Sequence, residues 1–250
     1  MKRYTLLAIV CIALAASISF SFTSADSYRK LDLSGAWSSS ASVGGKPAKH
    51  MLVMTEGYFS MATYAEADGS FITTLGGSYS NTDNSLSVTL EFNSSDPSSV
   101  GQPTTLNLKE TKDGFTVSSS DGSIYYTFTN VDKGKPGALM GPWLMSGRKA
   151  DDGSIANRDT SGPRKTMKIL SGTRFQWIAY NTSTGEFFGT GGGNYTTKGG
   201  KYTENIEFFS RDNTRVGAAL QFDYSLKEGA WHHSGLSSKG DPIYEVWSKR

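Results

Sequence analysis

Glu204 and His233 are the residues whose types and positions could do chemistry. Each stands in a run where every second residue is apolar, and each occupies a place on the apolar side. The runs are Tyr202, Glu204, Ile206 and Phe208 in one case and Trp231 and His233 in the other. An ionised carboxylate in an apolar interior loses its hydration, at a cost of several kcal/mol unless it is paired. Burial raises the pKa of such a carboxyl, whereas a protonated imidazole beside it lowers the value. A Glu and a His facing one interior suit general acid–base transfer on a bound substrate. They suit equally the orientation of a ligand's polar groups, or a satisfied structural pair. Trp177, Tyr202, Phe222, Tyr224 and Trp231 surround them in the pattern and would supply the apolar area of a binding pocket.

Other chemistries fit less well. His232 and His233 are adjacent, so on a strand they point to opposite faces and cannot chelate one ion together; His50 lies far away in the chain. No metal and no cofactor are expected. Gly189-Thr190-Gly191-Gly192-Gly193 has the composition of a phosphate loop, but no helix signal follows it, and a hairpin or bulge is the expectation. No Ser–His–Asp arrangement stands out. With Glu204 as the one interior carboxylate, a two-carboxylate glycosidase is disfavoured. The only cysteine is Cys11, so a thiol nucleophile and a disulfide scaffold have no basis in the rest of the chain.

The elements that must position these side chains come from a repeat. Residues 59–118 and 175–234 align without a gap at an offset of 116 residues, with identities at Phe59/Phe175, Tyr64/Tyr180, Gly76-Gly77/Gly192-Gly193 and Glu91-Phe92/Glu207-Phe208. The chain therefore reads as two copies of one unit, over 26–134 and 139–250, joined through Lys133-Gly134-Lys135-Pro136-Gly137. Leu86, Val88, Leu90 and Phe92 alternate with polar residues, and turn signals recur every eight to twelve residues. That spacing predicts an all-β chain of two tandem antiparallel up-and-down barrels, with about eight strands in each unit. Strand parity places Leu86, Val88, Leu90 and Phe92 inside the first barrel and Tyr202, Glu204, Ile206 and Phe208 inside the second.

A first strand with Gly-x-Trp, an eight-strand meander and a basic residue on the last strand resemble the lipocalin (calycin) family. The residues that carry the resemblance are Gly35 and Trp37, then Gly141, Trp143 and Arg250. The tail Glu245-Val246-Trp247-Ser248-Lys249-Arg250 is similar to the ending of small secreted lipocalin-like proteins of Bacteroidetes. The resemblance implies a Trp closing one end of each barrel, Arg250 packed over Trp143, and a first hairpin loop lying across the open mouth.

The differences between the copies are the candidates for function. Glu204 and His233 stand where the first copy has Val88 and Val117, and Trp177 stands where it has Met61. The first interior reads as plain core in a supporting barrel, the second as a lined pocket. From 26 to 136 there are 8 basic and 12 acidic residues; from 137 to 250 there are 15 and 11. The Trp37/Trp143 offset is 106, so ten residues are inserted between the first two strands of the second unit, in the Arg148–Lys165 loop. Long loops in compact domains are more often functional than idle.

The chain overall has 25 Lys and Arg against 23 Asp and Glu, which excludes a strongly basic nucleic-acid binder. Lys2 and Arg3, the apolar run Leu6–Ile18 and Thr23-Ser24-Ala25 have the pattern of a signal peptide over 1–25. A secreted or periplasmic protein with no transmembrane segment in its mature form is the expectation. Its partner would be a small, partly apolar molecule, anionic or amphipathic, held by Trp177, Tyr202, Glu204, Phe222, Tyr224, Trp231 and His233. The alternative is a cofactor-independent hydratase, isomerase or lyase with Glu204 and His233 as general acid and base.

Overall fold

Apolar and polar residues alternate along most of the chain, and glycines with positive φ occupy the turns, so the backbone pairs with itself in hairpins. A computed structural model describes residues 30–250 except 133–136, 151 and 238. The signal pattern at 1–25 and most of the expected linker lie outside the described residues. The first unit is β1 (Gly35–Val43), β2 (Lys46–Thr55), β3 (Tyr58–Ala65), β4 (Phe71–Asn81), β5 (Ser85–Asn93), β6 (Pro103–Thr111), β7 (Gly114–Ser118) and β8 (Tyr125–Asn130). It closes into a barrel through β1 and β8. The second is β9 (Gly141–Lys149), β10 (Ile155–Asn157), β11 (Arg164–Leu170), β12 (Arg174–Asn181), β13 (Phe187–Lys198), β14 (Lys201–Phe209), β15 (Ala219–Lys227), β16 (Ala230–Leu236) and β17 (Pro242–Lys249). It closes through β9 and β17, with the short β10 on the end of β9. The protein is thus all-β, with two antiparallel up-and-down barrels. In both, the Gly-x-Trp indole N–H donates to a carbonyl four residues earlier, Trp37 to Leu33 and Trp143 to Leu139, each at 2.9 Å.

One feature of strand parity departs from the expectation. Phe92 and Phe208 are not inside the barrels. The register slips between Gly76 and Gly77 on β4 and between Gly192 and Gly193 on β13, each slip marking a β-bulge that leaves an extra residue in the facing strand. A Cβ on Gly77 or Gly193 would stand 2.0 Å from the carbonyl oxygen of Thr89 or Asn205, so only glycine allows the facing strand so close. Beyond the bulge the side chains reverse sides. Phe92 joins Ala36, Val53, Leu144, Met167, Ile169, Ile178 and Tyr180, and Phe208 joins Met51, Ala62 and Tyr64. These two clusters are the interface between the barrels.

The interface repeats itself about a pseudo-two-fold axis. Phe92 packs on Tyr180 and Phe208 on Tyr64, both with ring centroids 4.9 Å apart, and Phe71 stacks on its own counterpart Phe187 at 5.9 Å. The Tyr180 hydroxyl donates to Glu91 at 2.7 Å and the Tyr64 hydroxyl to Glu207 at 3.0 Å. Arg250 pairs with Glu91, and Arg174 pairs with Glu207. Arg250 therefore serves the interface and does not cover Trp143; the Lys249 ammonium takes that place, 4.9 Å from the Trp143 ring. Asp132 ties the chain after β8 to the turn before β12, accepting hydrogen bonds from the Ala36, Gly172 and Thr173 amides and the Ser171 and Thr173 hydroxyls.

The first barrel encloses an apolar core around Trp37, Leu52, Phe59, Leu86, Phe115 and Phe128, with Val88 partly buried against it. A cavity of about 160 Å³ remains inside, lined almost wholly by hydrocarbon. Because the shared interface buries large aromatic side chains from both barrels, the two should unfold together. Calorimetry should show one transition, and Phe208→Ala should cost about 3–5 kcal/mol. Two resolved transitions in the wild-type chain would contradict this coupling.

Candidate functional site

Before the bulge, β14 turns Tyr202, Glu204 and Ile206 into the second barrel, and after it the inward residue is Phe209. On β11 the inward residues are Arg164, Thr166 and Lys168, while Met167 and Ile169 face the other barrel. Four charged or polar residues thereby occupy positions that are uncharged in the first copy. Lys168 and Glu204 stand for Leu52 and Val88, and His233 stands for Val117. The pairing of Phe115 with Phe128 matches that of Trp231 with Trp247, and so Glu245 stands for Tyr126.

Lys168 and Glu204 form a buried ion pair, Nζ to Oε1 at 2.7 Å, with side chains only 6% and 5% exposed. Four rings surround the ammonium, those of Tyr202, Trp231, Trp247 and Phe222, at 5.0, 5.1, 5.3 and 5.7 Å. Their negative faces offset part of the lost hydration. Glu245 accepts a 2.7 Å charge-assisted hydrogen bond from Arg148 and lies 3.4 Å from the His233 Nδ1. Burial alone would raise the Glu245 pKa, but the His233 ring and the Lys168 and Arg148 cations outweigh it and hold the carboxyl at about 2. Burial, aided by Lys168, pushes His233 below its usual value, so the ring is neutral at pH 7. Neither His233 nitrogen has a hydrogen-bond partner, nor do the Tyr202 hydroxyl and the Trp231 and Trp247 indoles, among the described residues.

Above this layer the barrel opens into a cavity of about 430 Å³. Lys168, Glu245 and Trp247 form its floor, and Met145, Trp177, Ala179 and Phe209 its walls. Thr166 and four arginines, Arg148, Arg158, Arg164 and Arg211, complete the lining. The ten-residue insertion forms the β9–β10 hairpin and continues into Arg158, whose Nη1 lies 3.1 Å from the Met145 sulfur. The Arg164 guanidinium lies 3.4 Å from the Phe188 ring centroid. Arg211 donates from Nε and Nη2 to the Phe188 carbonyl, at 3.0 and 2.7 Å. The glycine run of β13 makes room for this arrangement. A Cβ on Gly189 would stand 2.5 Å from Arg211 Nε, and one on Gly191 would stand 2.7 Å from Trp177 Nε1.

Of the residues expected from the sequence, Trp177 lines the cavity. Tyr202, Phe222, Trp231 and His233 form one packed cluster beneath it, with Glu204 among them and Tyr224 partly buried at the margin. Glu204 meets Lys168 there and makes no hydrogen bond to His233. His232 lies on the opposite face, 2.9 Å from the Tyr244 hydroxyl. The expectation of a single interior carboxylate is corrected: Glu245 is a second one, 6% exposed. The offset of 116 residues hid it, because an added stretch between β16 and β17 moves β17 to an offset of 119, as Phe128 and Trp247 show. Lys168 was hidden by its neighbours. The apolar Met167 and Ile169 mark a buried side of β11, and that side belongs to the interface.

No group of three or more His, Asp or Glu side chains is placed to hold a metal ion among the described residues. No helix there is long and apolar enough to cross a membrane. Compared with protein-family models, curated proteins and solved structures, the chain finds no match.

The floor makes two testable statements. Lys168→Leu or Glu204→Val alone leaves one buried charge unpaired and should cost about 3–5 kcal/mol, while the double variant should recover most of the loss. Equal and additive losses in a double-mutant cycle would show that the pair is not coupled. Glu245 has a folded value of about 2 against an ordinary 4.5. Its contribution is therefore fully present above the ordinary value and is lost as pH falls toward 2. Urea titrations should show Glu245→Gln flattening the stability loss in that window; an unchanged acid limb would refute the assignment.

Proposed function

We propose that the protein binds a small, partly apolar anion in the mouth of the second barrel. The observation that carries this reading is the lining of the 430 Å³ cavity: four arginines and Lys168 against one carboxylate, interleaved with Trp177, Phe209, Met145 and Trp247. Arg148 and Lys168 are already paired with Glu245 and Glu204. Arg158, Arg164 and Arg211 have no carboxylate within 4 Å among the described residues. Guanidinium groups beside aromatic walls are suited to an oxyanion on an apolar body.

The geometry supports binding over turnover. Glu204 is engaged with Lys168, and His233 is a neutral ring beneath the cavity floor. General acid–base work needs such groups within hydrogen-bond reach of a substrate. The lipocalin resemblance supports the same reading, since a closed barrel with an open end is a receptacle for one small ligand. Export to the periplasm or the exterior, read from residues 1–25, would give the protein a role in capturing or carrying its ligand outside the cytoplasm.

Titration with 8-anilinonaphthalene-1-sulfonate tests this. One molecule should bind per chain and quench Trp177. The Arg164→Ala, Arg211→Ala double variant should lose at least tenfold in affinity with its near-ultraviolet circular dichroism preserved. Val88→Ala in the first barrel should leave affinity nearly unchanged. Binding that follows Val88 and ignores the arginines would place the site in the wrong barrel.

A further inference from the structure

The arrangement of the three unpaired guanidiniums narrows the ligand. We propose that the second barrel takes a phosphate monoester dianion carried on an aromatic body. The inference rests on the binding reading above and specifies its chemistry.

Arg158 comes from the inserted segment after β10, Arg164 opens β11, and Arg211 follows the bulged end of β14. All three line one cavity. Both neighbours act on Arg164: burial first, then Arg158 and to a smaller degree Arg211, lower its pKa, with Glu186 opposing. Holding three like charges at one opening is unfavourable without an anion. A carboxylate brings one negative charge and two oxygens, enough for one guanidinium fork. A phosphate monoester brings a charge of about −1.5 to −2 at pH 7 and three strong acceptor oxygens.

The donors fit such a head. Arg211 spends Nε and Nη2 on the Phe188 carbonyl, which fixes its plane and leaves Nη1 to donate. Arg164 sits over the Phe188 ring, its guanidinium carbon 3.4 Å from the centroid, a contact that spends none of its N–H donors. At the floor the charges are already compensated, Lys168 by Glu204 and Glu245 by Arg148. The body of the ligand is therefore uncharged. It meets Trp177, Phe209 and Trp247, and so it is a ring system before it is a flexible chain. The first barrel offers no such seat: 116 residues earlier, Arg164 and Arg211 correspond to Ala48 and Ser95, and Arg158 belongs to the insertion.

Calorimetric titration of the wild-type chain with 1-naphthyl phosphate, 1-naphthyl sulfate, 1-naphthoate and dodecyl phosphate tests the proposal. The aryl phosphate should bind at least tenfold more tightly than the sulfate or carboxylate at pH 7.5. Its affinity should fall between pH 7.5 and 5 as the phosphate takes up its second proton, near pH 6, while the sulfate titrates flat. The charged and titratable groups facing the site are Arg148 on β9, Arg158, Arg164 and Lys168 on the β10–β11 side, Arg211, Glu245, Glu186 beside Arg164, and His233 against Glu245. Glu245 has its pKa at about 2, below that window, and protonation of His233 beneath the floor would act on both esters alike, so a pH effect on the phosphate alone belongs to the ligand. Arg164→Lys keeps the charge and should remove most of the phosphate preference.

Equal binding of naphthoate or naphthyl sulfate, still lost when the arginines are replaced, would overturn the phosphate assignment and leave the anion-binding reading standing. Tighter binding of dodecyl phosphate would overturn the aromatic body. Failure of every anion to bind the folded chain would overturn both readings.

Discussion

The structure turns on a bulge that occurs twice, opposite Gly77 on β5 and opposite Gly193 on β14. One added residue reverses which face of the strand a side chain takes. In β5 the reversal sends Phe92 out of the first barrel, and in β14 it sends Phe208 out of the second, each onto a tyrosine of the other barrel. In β14 it does something more. It brings Phe209 and then Arg211 inward, to the wall and opening of the cavity. The same backbone event thus seals the two barrels together and supplies the site with an aromatic surface and a cation. Asn93 and Ser95 occupy the matching positions of the first copy, so the bulge there serves the interface alone.

Much of this was legible in the sequence, and the parts that were not have physical reasons. The repeat gave two barrels, and strand parity gave Glu204 and His233 as interior residues, because alternation holds wherever the register is regular. It misplaced Phe92 and Phe208, since a bulge leaves no mark in a hydrophobic pattern beyond a glycine pair. Glu207, on the outward side of β14, belongs to the interface, paired with Arg174 and Tyr64. The charged floor was seen only in half. Strand β11 is buried on both sides, and its apolar side faces the other barrel, so Lys168 on the polar side looked like surface. A tandem protein buries outer faces as well as inner ones, and a pattern of buried faces does not say which is which.

The electrostatics of the second barrel are ordered by depth. The buried charges are matched one to one: Lys168 with Glu204, and Glu245 with the exposed Arg148. Matching is required there, because an unpaired charge under a ring of aromatics would lose several kcal/mol of hydration with nothing in return. Nearer solvent the matching stops. Arg158, Arg164 and Arg211 are exposed and unmatched by a carboxylate among the described residues, and the surplus positive potential concentrates at one opening. On the proposed reading, a field of this shape would draw an anion to the mouth and keep a second charge from the floor.

The two copies show how such a site can arise on a fixed scaffold. Leu52, Val88, Val117 and Tyr126 of the first barrel form one connected region of its core, and their counterparts Lys168, Glu204, His233 and Glu245 form one connected polar region of the second. Neither member of the buried ion pair is tolerable alone. Lys168 without Glu204, or Glu204 without Lys168, is a buried monopole; each becomes permissible only once the other is present. Changes of this kind come as linked sets, and here the linked set is confined to one copy of a duplicated core. The first barrel retains the hydrocarbon version, braces the interface through Phe92, Tyr64 and Glu91, and thereby leaves the second free to carry charge in its interior.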